Sequence, residues 1–132
     1  MVRDSPLGRV ERTFPVDDRS APQQARSLVG ELGGLSDSIR DDLVIVVSEL
    51  VANAIRHGPP GPGTVQLSIA READAIRVEV RDPGVPFDPT AAPRSDGGLG
   101  LVIVGRIAES WGVMAGGSTV MWCRVATAPR RV

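Results

Sequence analysis

Three polar side chains recur at four-residue intervals within an otherwise apolar part of the sequence. Glu49, Asn53 and His57 follow the run 42–47, in which every residue after Asp42 is aliphatic. Because an α-helix turns about 100° per residue, this spacing places the three side chains on successive turns of one stripe. Burying a carboxylate or an amide without a partner costs several kcal/mol. The stripe therefore lines a cavity that supplies partners, or it is the solvated surface of a half-exposed helix.

A second candidate group lies at the end of a predicted strand. Asp82 has the same parity as Ile76, Val78 and Val80, so its carboxylate points toward the core and needs hydrogen-bond donors there. An Asp that merely starts a turn before Pro83 is the alternative.

Two further features have the chemistry of a binding site. A glycine cluster opens the third predicted helix, where exposed N–H groups and the positive end of the helix dipole suit a phosphate. This cluster reads Gly97-Gly98-Leu99-Gly100-Leu101. Thr119 shares strand parity with Met121, Cys123 and Val125 and is expected to face the core, although an ordinary strand threonine is the alternative.

The elements that must position these groups follow from periodicity and from turn residues. The long helix is expected to begin with Ser36 or Ser38 as its N-cap and to run through His57 to Gly58-Pro59-Pro60. The other predicted elements are an edge strand 9–16, a helix 22–32, an antiparallel hairpin of strands 64–70 and 76–82, a long loop 83–98, a helix 100–110, a strand pair 112–115 and 118–126, and a flexible tail 127–132.

Composition limits the classes of function. The 132 residues predict a single domain, and 15 basic against 16 acidic residues give a net charge of -1. This balance argues against direct binding of nucleic acid or of an anionic membrane. Cys123 is the only cysteine, and no apolar run approaches the roughly 20 residues of a membrane-spanning helix, so a cytoplasmic protein is expected.

In their order along the chain, these groups resemble three sequence boxes of a large ATPase superfamily. The boxes are Glu49-x-x-x-Asn53-Ala54-x-x-His57, Asp82-x-Gly84 and Gly98-x-Gly100. They resemble the N, G1 and G2 boxes of the superfamily that includes gyrase and the histidine kinases. The chain is most similar to the bacterial anti-sigma-factor serine kinases, through Ser48-Glu49-Leu50-Val51-Ala52-Asn53-Ala54, Arg56-His57-Gly58 and Val80-Arg81-Asp82-Pro83-Gly84.

The resemblance implies a Bergerat ATP-binding fold, an α/β sandwich with a mixed, mostly antiparallel sheet and helices on one face. It implies that Glu49 is the general base, that Asn53 holds Mg²⁺, and that Asp82 accepts a hydrogen bond from adenine with help from Thr119. It further implies that ATP contacts Gly84, Gly98, Gly100 and Leu101, and that residues 83–98 form a lid over the nucleotide.

The resemblance also implies a function. The leading hypothesis is an ATP- and Mg²⁺-dependent serine protein kinase that binds a sigma factor and phosphorylates an anti-anti-sigma protein. One departure from the family pattern is Pro86, which stands where the G1 box usually has a second glycine. Because proline fixes φ and removes an N–H, the alternative is a regulatory binding module of the same fold without kinase activity. A detached histidine-kinase catalytic domain is disfavoured, since no dimerisation helix pair is expected.

A homodimer is a further expectation. Val120 and Trp122 lie on the strand face opposite Thr119, where an open sheet would otherwise meet water. Trp122 is therefore predicted at a subunit contact, unless the first segment of the chain covers this face.

Overall fold

The predicted helices and strands are all present in the computed structural model, which describes residues 8–57, 63–82, 98–116 and 118–127. In chain order they are β1 (Arg9–Pro15), α1 (Ala21–Val29), α2 (Asp37–His57), β2 (Thr64–Arg71), β3 (Ala75–Asp82), α3 (Gly98–Ile107), β4 (Ser110–Gly116) and β5 (Ser118–Ala126). The predicted loop up to residue 97 and the tail after Thr127 lie outside the described residues.

The strands form one sheet in the order β1-β2-β3-β5-β4. Both predicted hairpins are confirmed, and β1 lies at an edge as predicted. All four pairings among the described strands are antiparallel, so the mixed sheet that was expected is antiparallel throughout this part of the chain. The pairing of β3 with β5 joins elements that are distant in sequence.

Alternation along the central strands separates a core face from an open face. Val65, Leu67 and Ile69 of β2 are fully buried, as are Ile76 and Val78 of β3. Fully burying an aliphatic side chain contributes roughly 1.5–3 kcal/mol. These side chains and the apolar faces of the three helices form a single cluster, which places the helices on one face of the sheet.

Helix α2 is the central helix of that layer. It packs between α1 and α3 and contacts β2, β3 and β5. Of the two candidate N-caps, Ser36 is the one that caps, because its Oγ accepts a hydrogen bond of 3.2 Å from the backbone N–H of Ile39. The side of α2 that packs into the core is apolar and buried, and it includes Leu43, Val47, Leu50, Val51 and Ala54.

Element ends differ from the prediction where local hydrogen bonds intervene. Helix α1 ends at Val29, and the chain reaches the buried Leu32 through three successive bonds of the i to i+3 type. Helix α3 begins at Gly98 and ends at Ile107, so Ser110 belongs to β4, where it pairs with Arg124. Because β4 pairs with β5 from Ser110 onward, this residue lies in a strand, although the periodicity had assigned it to the helix.

The open face of the sheet carries charged and aromatic side chains. The guanidinium of Arg77 lies 4.7 Å from the centroid of the Trp122 ring, and Arg77 also pairs with Glu79 at 2.7 Å. Val120 was expected on this face beside Trp122, but it is only 4% exposed in a single chain. β1 lies at the sheet edge and is separated from β5 by two strands, so it does not cover Trp122.

Within the described residues, none of the helices has the length and apolar character that crossing a membrane requires.

Candidate functional site

Asp82 and Thr119 are direct neighbours across two strands. They are paired in the register of β3 and β5, and both side chains are buried, at 6% and 3% exposure. Both therefore face the helices, as strand parity predicts. A carboxylate and a hydroxyl are thus held side by side at the end of β3, immediately before the predicted lid segment.

Asn53 brings a third polar group to the same face from α2. Its side chain is 4% exposed, and its Nδ2 donates a hydrogen bond of 3.2 Å to Sδ of Met121 on β5. Met121 is two residues from Thr119 on the same face of β5. Asn53 of the predicted helix stripe therefore lies in the same region of the structure as Asp82 and Thr119 of the two strands.

Buried polar groups are confined to this region in the described part of the chain. Only three polar or charged side chains are buried there, and they are Asn53, Asp82 and Thr119. Since burying such groups is costly unless partners meet them, their concentration at one place is the property expected of a binding site.

Glu49 lies one helical turn before Asn53, about 6 Å along the axis of α2. Its side chain is half-buried. Across residues 8–57, 63–82, 98–116 and 118–127, the Glu49 carboxylate makes no ion pair or hydrogen bond. It therefore lies one helical turn from the buried polar group, with carboxylate oxygens that no described residue engages.

The glycine cluster lies where α3 begins. Gly98 is the first residue of α3 and Gly100 is in its first turn, where backbone N–H groups lack helical partners. Leu101 is half-buried against the core, and the fully buried Val104 anchors the helix one turn later. Helix α3 packs on α2, so the N-terminus of α3, with its exposed backbone N–H groups, belongs to the same helical layer as Asn53.

The family model for histidine kinase-like ATPase domains matches residues 14–123, which run from β1 to β5. The chain belongs to this family. The superfamily that the three sequence boxes indicated is therefore confirmed, as is its α+β fold. A search of curated proteins found no match to this chain.

Histidine kinase-like ATPase domains bind ATP together with Mg²⁺, and the buried polar group of Asn53, Asp82 and Thr119 includes an oxygen donor of the kind that Mg²⁺ prefers. Asn53 offers an amide oxygen, Oδ1, to which no described residue donates a hydrogen bond. Mg²⁺ prefers oxygen ligands and is usually held by one or two protein groups together with substrate phosphates.

Some predicted residues of the ATPase domain lie outside the described part of the chain. They are Gly84, Pro86 and the rest of the predicted lid up to residue 97. His57 is the last residue of α2, and its side chain also lies outside the described part of the chain. The roles predicted for these residues remain predictions.

Two clefts bounded by described residues lie away from the polar group of the ATPase domain. Their volumes are about 450 and 290 Å³, and Arg71 lines both. Arg71 pairs with Ile76, which is six residues, or about 20 Å, from Asp82 along β3. None of the predicted site residues lines either cleft, so these clefts are separate from the buried polar group.

Cys123 is the one nucleophilic thiol of the domain, and its environment makes it inert. Burial raises its pKa to about 12, and the nearby charge of Arg77 lowers the pKa by less. The thiol is therefore neutral at physiological pH, which argues against thiolate chemistry at this position.

Sequence reasoning identified the buried polar residues of the domain but missed Met121. The parity of β5 placed Met121 on the core face as an apolar side chain. Nothing in the sequence indicates that its sulfur contacts Asn53, because the two residues are 68 positions apart.

Proposed function

We propose that this ATPase domain is an ATP- and Mg²⁺-dependent serine protein kinase and anti-sigma factor. In this proposal it binds a sigma factor and phosphorylates an anti-anti-sigma protein on serine. The observation that carries the proposal is the exclusive burial of Asn53, Asp82 and Thr119 among the polar side chains of the described chain, with Glu49 one turn away.

Adenine recognition is assigned to the pair on β3 and β5. The Asp82 carboxylate would accept a hydrogen bond from the adenine amino group, and the Thr119 hydroxyl would add a second polar contact. Because both side chains are withdrawn from water, a charge-assisted bond at this place is stronger than the same bond at the surface.

Phosphate binding is assigned to Asn53 and to the beginning of α3. When bound, Mg²⁺ would neutralise charge on the phosphates, and Oδ1 of Asn53 is the protein oxygen that would hold it. The free N–H groups of the first turn of α3, next to Gly98 and Gly100, would contact phosphate oxygens.

Glu49 is assigned the role of general base. Its carboxylate would take the proton of the partner's serine hydroxyl while the serine oxygen forms a bond to the γ-phosphorus. The bond between that phosphorus and the bridging oxygen breaks, and ADP leaves with the electron pair. A positioned base of this kind contributes typically 10²- to 10⁴-fold to the rate.

The second candidate is a binding module of the same fold that does not transfer phosphate. Pro86 favours it, because proline stands where a glycine is usual in the box that faces the nucleotide. The half-buried Glu49 favours the kinase, since the described fold gives this carboxylate no structural partner. Both candidates imply a cytoplasmic protein that binds proteins rather than nucleic acid or membrane.

Phosphoryl transfer to purified anti-anti-sigma domain proteins tests the proposal. With Mg²⁺ and γ-labelled ATP, we expect phosphoserine on at least one such protein. Glu49→Ala should lower the rate by about 10²-fold or more while ATP affinity is retained. Asp41→Ala is a matched control on the exposed part of the same helix and should leave the rate unchanged. Equal rates in wild type and Glu49→Ala would rule out the base role, and stable partner binding without transfer would favour the module.

A further inference from the structure

We propose that Met121 is a positioning residue for the Mg²⁺ ligand Asn53. Its thioether would hold the Asn53 amide with Nδ2 toward β5 and Oδ1 toward the nucleotide. The inference rests on the proposed function, because it concerns the same ATP site. It stands on the 3.2 Å contact between Asn53 Nδ2 and Met121 Sδ, and on the burial of both side chains at 4% and 3% exposure.

The chemistry of a thioether makes this contact selective for one amide orientation. The sulfur of Met121 has lone pairs but no hydrogen, so it accepts a hydrogen bond and never donates one. It therefore pairs with the NH₂ end of the Asn53 amide. A rotated amide would place Oδ1 against Sδ, and the two acceptors would repel each other in a region withdrawn from water.

Selection of this kind is needed because the helix alone does not orient the amide. The terminal torsion of asparagine is broad and roughly two-fold, so both amide orientations are compatible with the backbone of α2. Only one of them presents oxygen to a cation. With NH₂ in its place, Asn53 would offer hydrogens to Mg²⁺ and could not ligate it.

Core filling is the competing explanation for Met121. Methionine is unbranched and often fills irregular space, and Met121 pairs with Val80 and Val113 in the sheet. Met121→Leu separates the explanations, because leucine keeps the volume and apolar character but removes the acceptor. Met114→Leu is the matched control, since Met114 is 48% exposed on the opposite face of the sheet.

The first experiment measures ATP affinity by calorimetry with and without Mg²⁺. We expect Met121→Leu to reduce the gain in ATP affinity that Mg²⁺ provides by about 10-fold or more, the usual effect of losing a group that orients a metal ligand. Affinity without Mg²⁺ should stay within about two-fold of wild type, and Met114→Leu should match wild type in both measurements. An undiminished Mg²⁺ effect in a folded Met121→Leu protein would overturn the proposal.

The second experiment needs neither a variant nor a nucleotide. In the ¹⁵N-labelled wild type, the Asn53 side-chain NH₂ protons should show nuclear Overhauser contacts to the ε-methyl group of Met121, and they should exchange slowly with solvent. Missing contacts in a folded protein would overturn the proposed orientation. Failure of the wild type to bind ATP would instead remove the proposed function, and the spectrum would still decide the amide orientation.

Discussion

At the scale of single residues, this domain combines two kinds of buried group with opposite consequences. Asn53, Asp82 and Thr119 are buried polar side chains that the fold holds at one place. Cys123 is buried among apolar neighbours on the same face of the sheet and stays neutral. The first kind supports binding, and the second makes stability depend on pH.

Cys123 should destabilise the fold at alkaline pH. The folded thiol has a pKa of about 12 against an ordinary value of 9.0. With a raised thiol pKa, the free energy of unfolding is unaffected below pH 9 and falls as the pH rises toward 12. The reason is that only the thiol of the unfolded chain ionises in that range. We expect the free energy of unfolding in urea to fall by about 1.4 kcal/mol between pH 7 and pH 10.

The composition of the chain makes this measurement unusually specific. The sequence contains no tyrosine and no lysine, so Cys123 is the only side chain whose ordinary pKa lies between 8 and 11. Cys123→Ala should be less stable than wild type at pH 7 but should lack the fall between pH 7 and pH 10. An equal fall in both proteins would show that the thiol is not its source.

The face on which a side chain lies was predictable where the period of a strand or helix determines it. Strand alternation predicted the inward side chains of Asp82 and Thr119, and the helical period predicted the stripe of Glu49 and Asn53. The contact of Asn53 with Met121 was not predictable, because it depends on how α2 crosses β5. Local periods determine which face a side chain occupies, whereas tertiary packing determines its partner.

At the scale of elements, α2 determines the geometry of the site because it carries both Glu49 and Asn53. The helix has 21 residues and packs against α1, α3 and three strands. Its existence followed from the sequence, but the choice between two N-cap serines did not. That choice depends on backbone geometry, and the structure assigns it to Ser36 through the bond to Ile39.

Replacing the N-cap of α2 should destabilise the domain. Ser36→Ala removes the acceptor for the Ile39 N–H, and we expect a loss of about 1 kcal/mol in the free energy of unfolding. Ser38→Ala is the matched control, because Ser38 is an equally exposed serine already inside the first turn. Thermal unfolding of the two variants should separate them, and equal melting temperatures would contradict the assignment.

The boundaries of elements were less predictable than their existence. Helix α3 begins two residues earlier than periodicity indicates and ends before Ser110, because β4 extends its pairing with β5 to Arg124. Glu109 reinforces that end, since its backbone N–H donates to the Arg124 carbonyl at 2.8 Å. Pairing within the hairpin of β4 and β5 thus overrides a local helical signal.

At the scale of the whole molecule, the sheet has one face covered by helices and one open face. The open face combines charges of both signs, from Arg77 and Glu79, with the half-buried Trp122 and the exposed Met114. Met114 pairs with Val120 across β4 and β5, next to the pair formed by Gly112 and Trp122. An apolar patch with charges of both signs beside it suits contact with a second copy of the same surface.

We predict a homodimer through this open face, with Trp122 at the contact. Sedimentation equilibrium should show concentration-dependent dimers for the wild type. Met114→Glu should shift the population toward monomers because it places a charge in the apolar patch. Val102→Glu is the control, since Val102 is similarly exposed but lies on α3 in the helical layer. A wild type that stays monomeric at high concentration would contradict the prediction.

The most direct test of the account is calorimetric titration of ATP with Mg²⁺ into the wild type and into Asp82→Asn. Asp82 is buried beside Thr119, and its charge is the feature assigned to adenine recognition. Asparagine keeps an acceptor oxygen but lacks the charge, and a charge-assisted hydrogen bond is roughly twice as strong as a neutral one, so the variant should bind ATP about 3- to 10-fold more weakly than wild type. Equal affinity in the two folded proteins, or no binding by the wild type, would contradict the proposed nucleotide site.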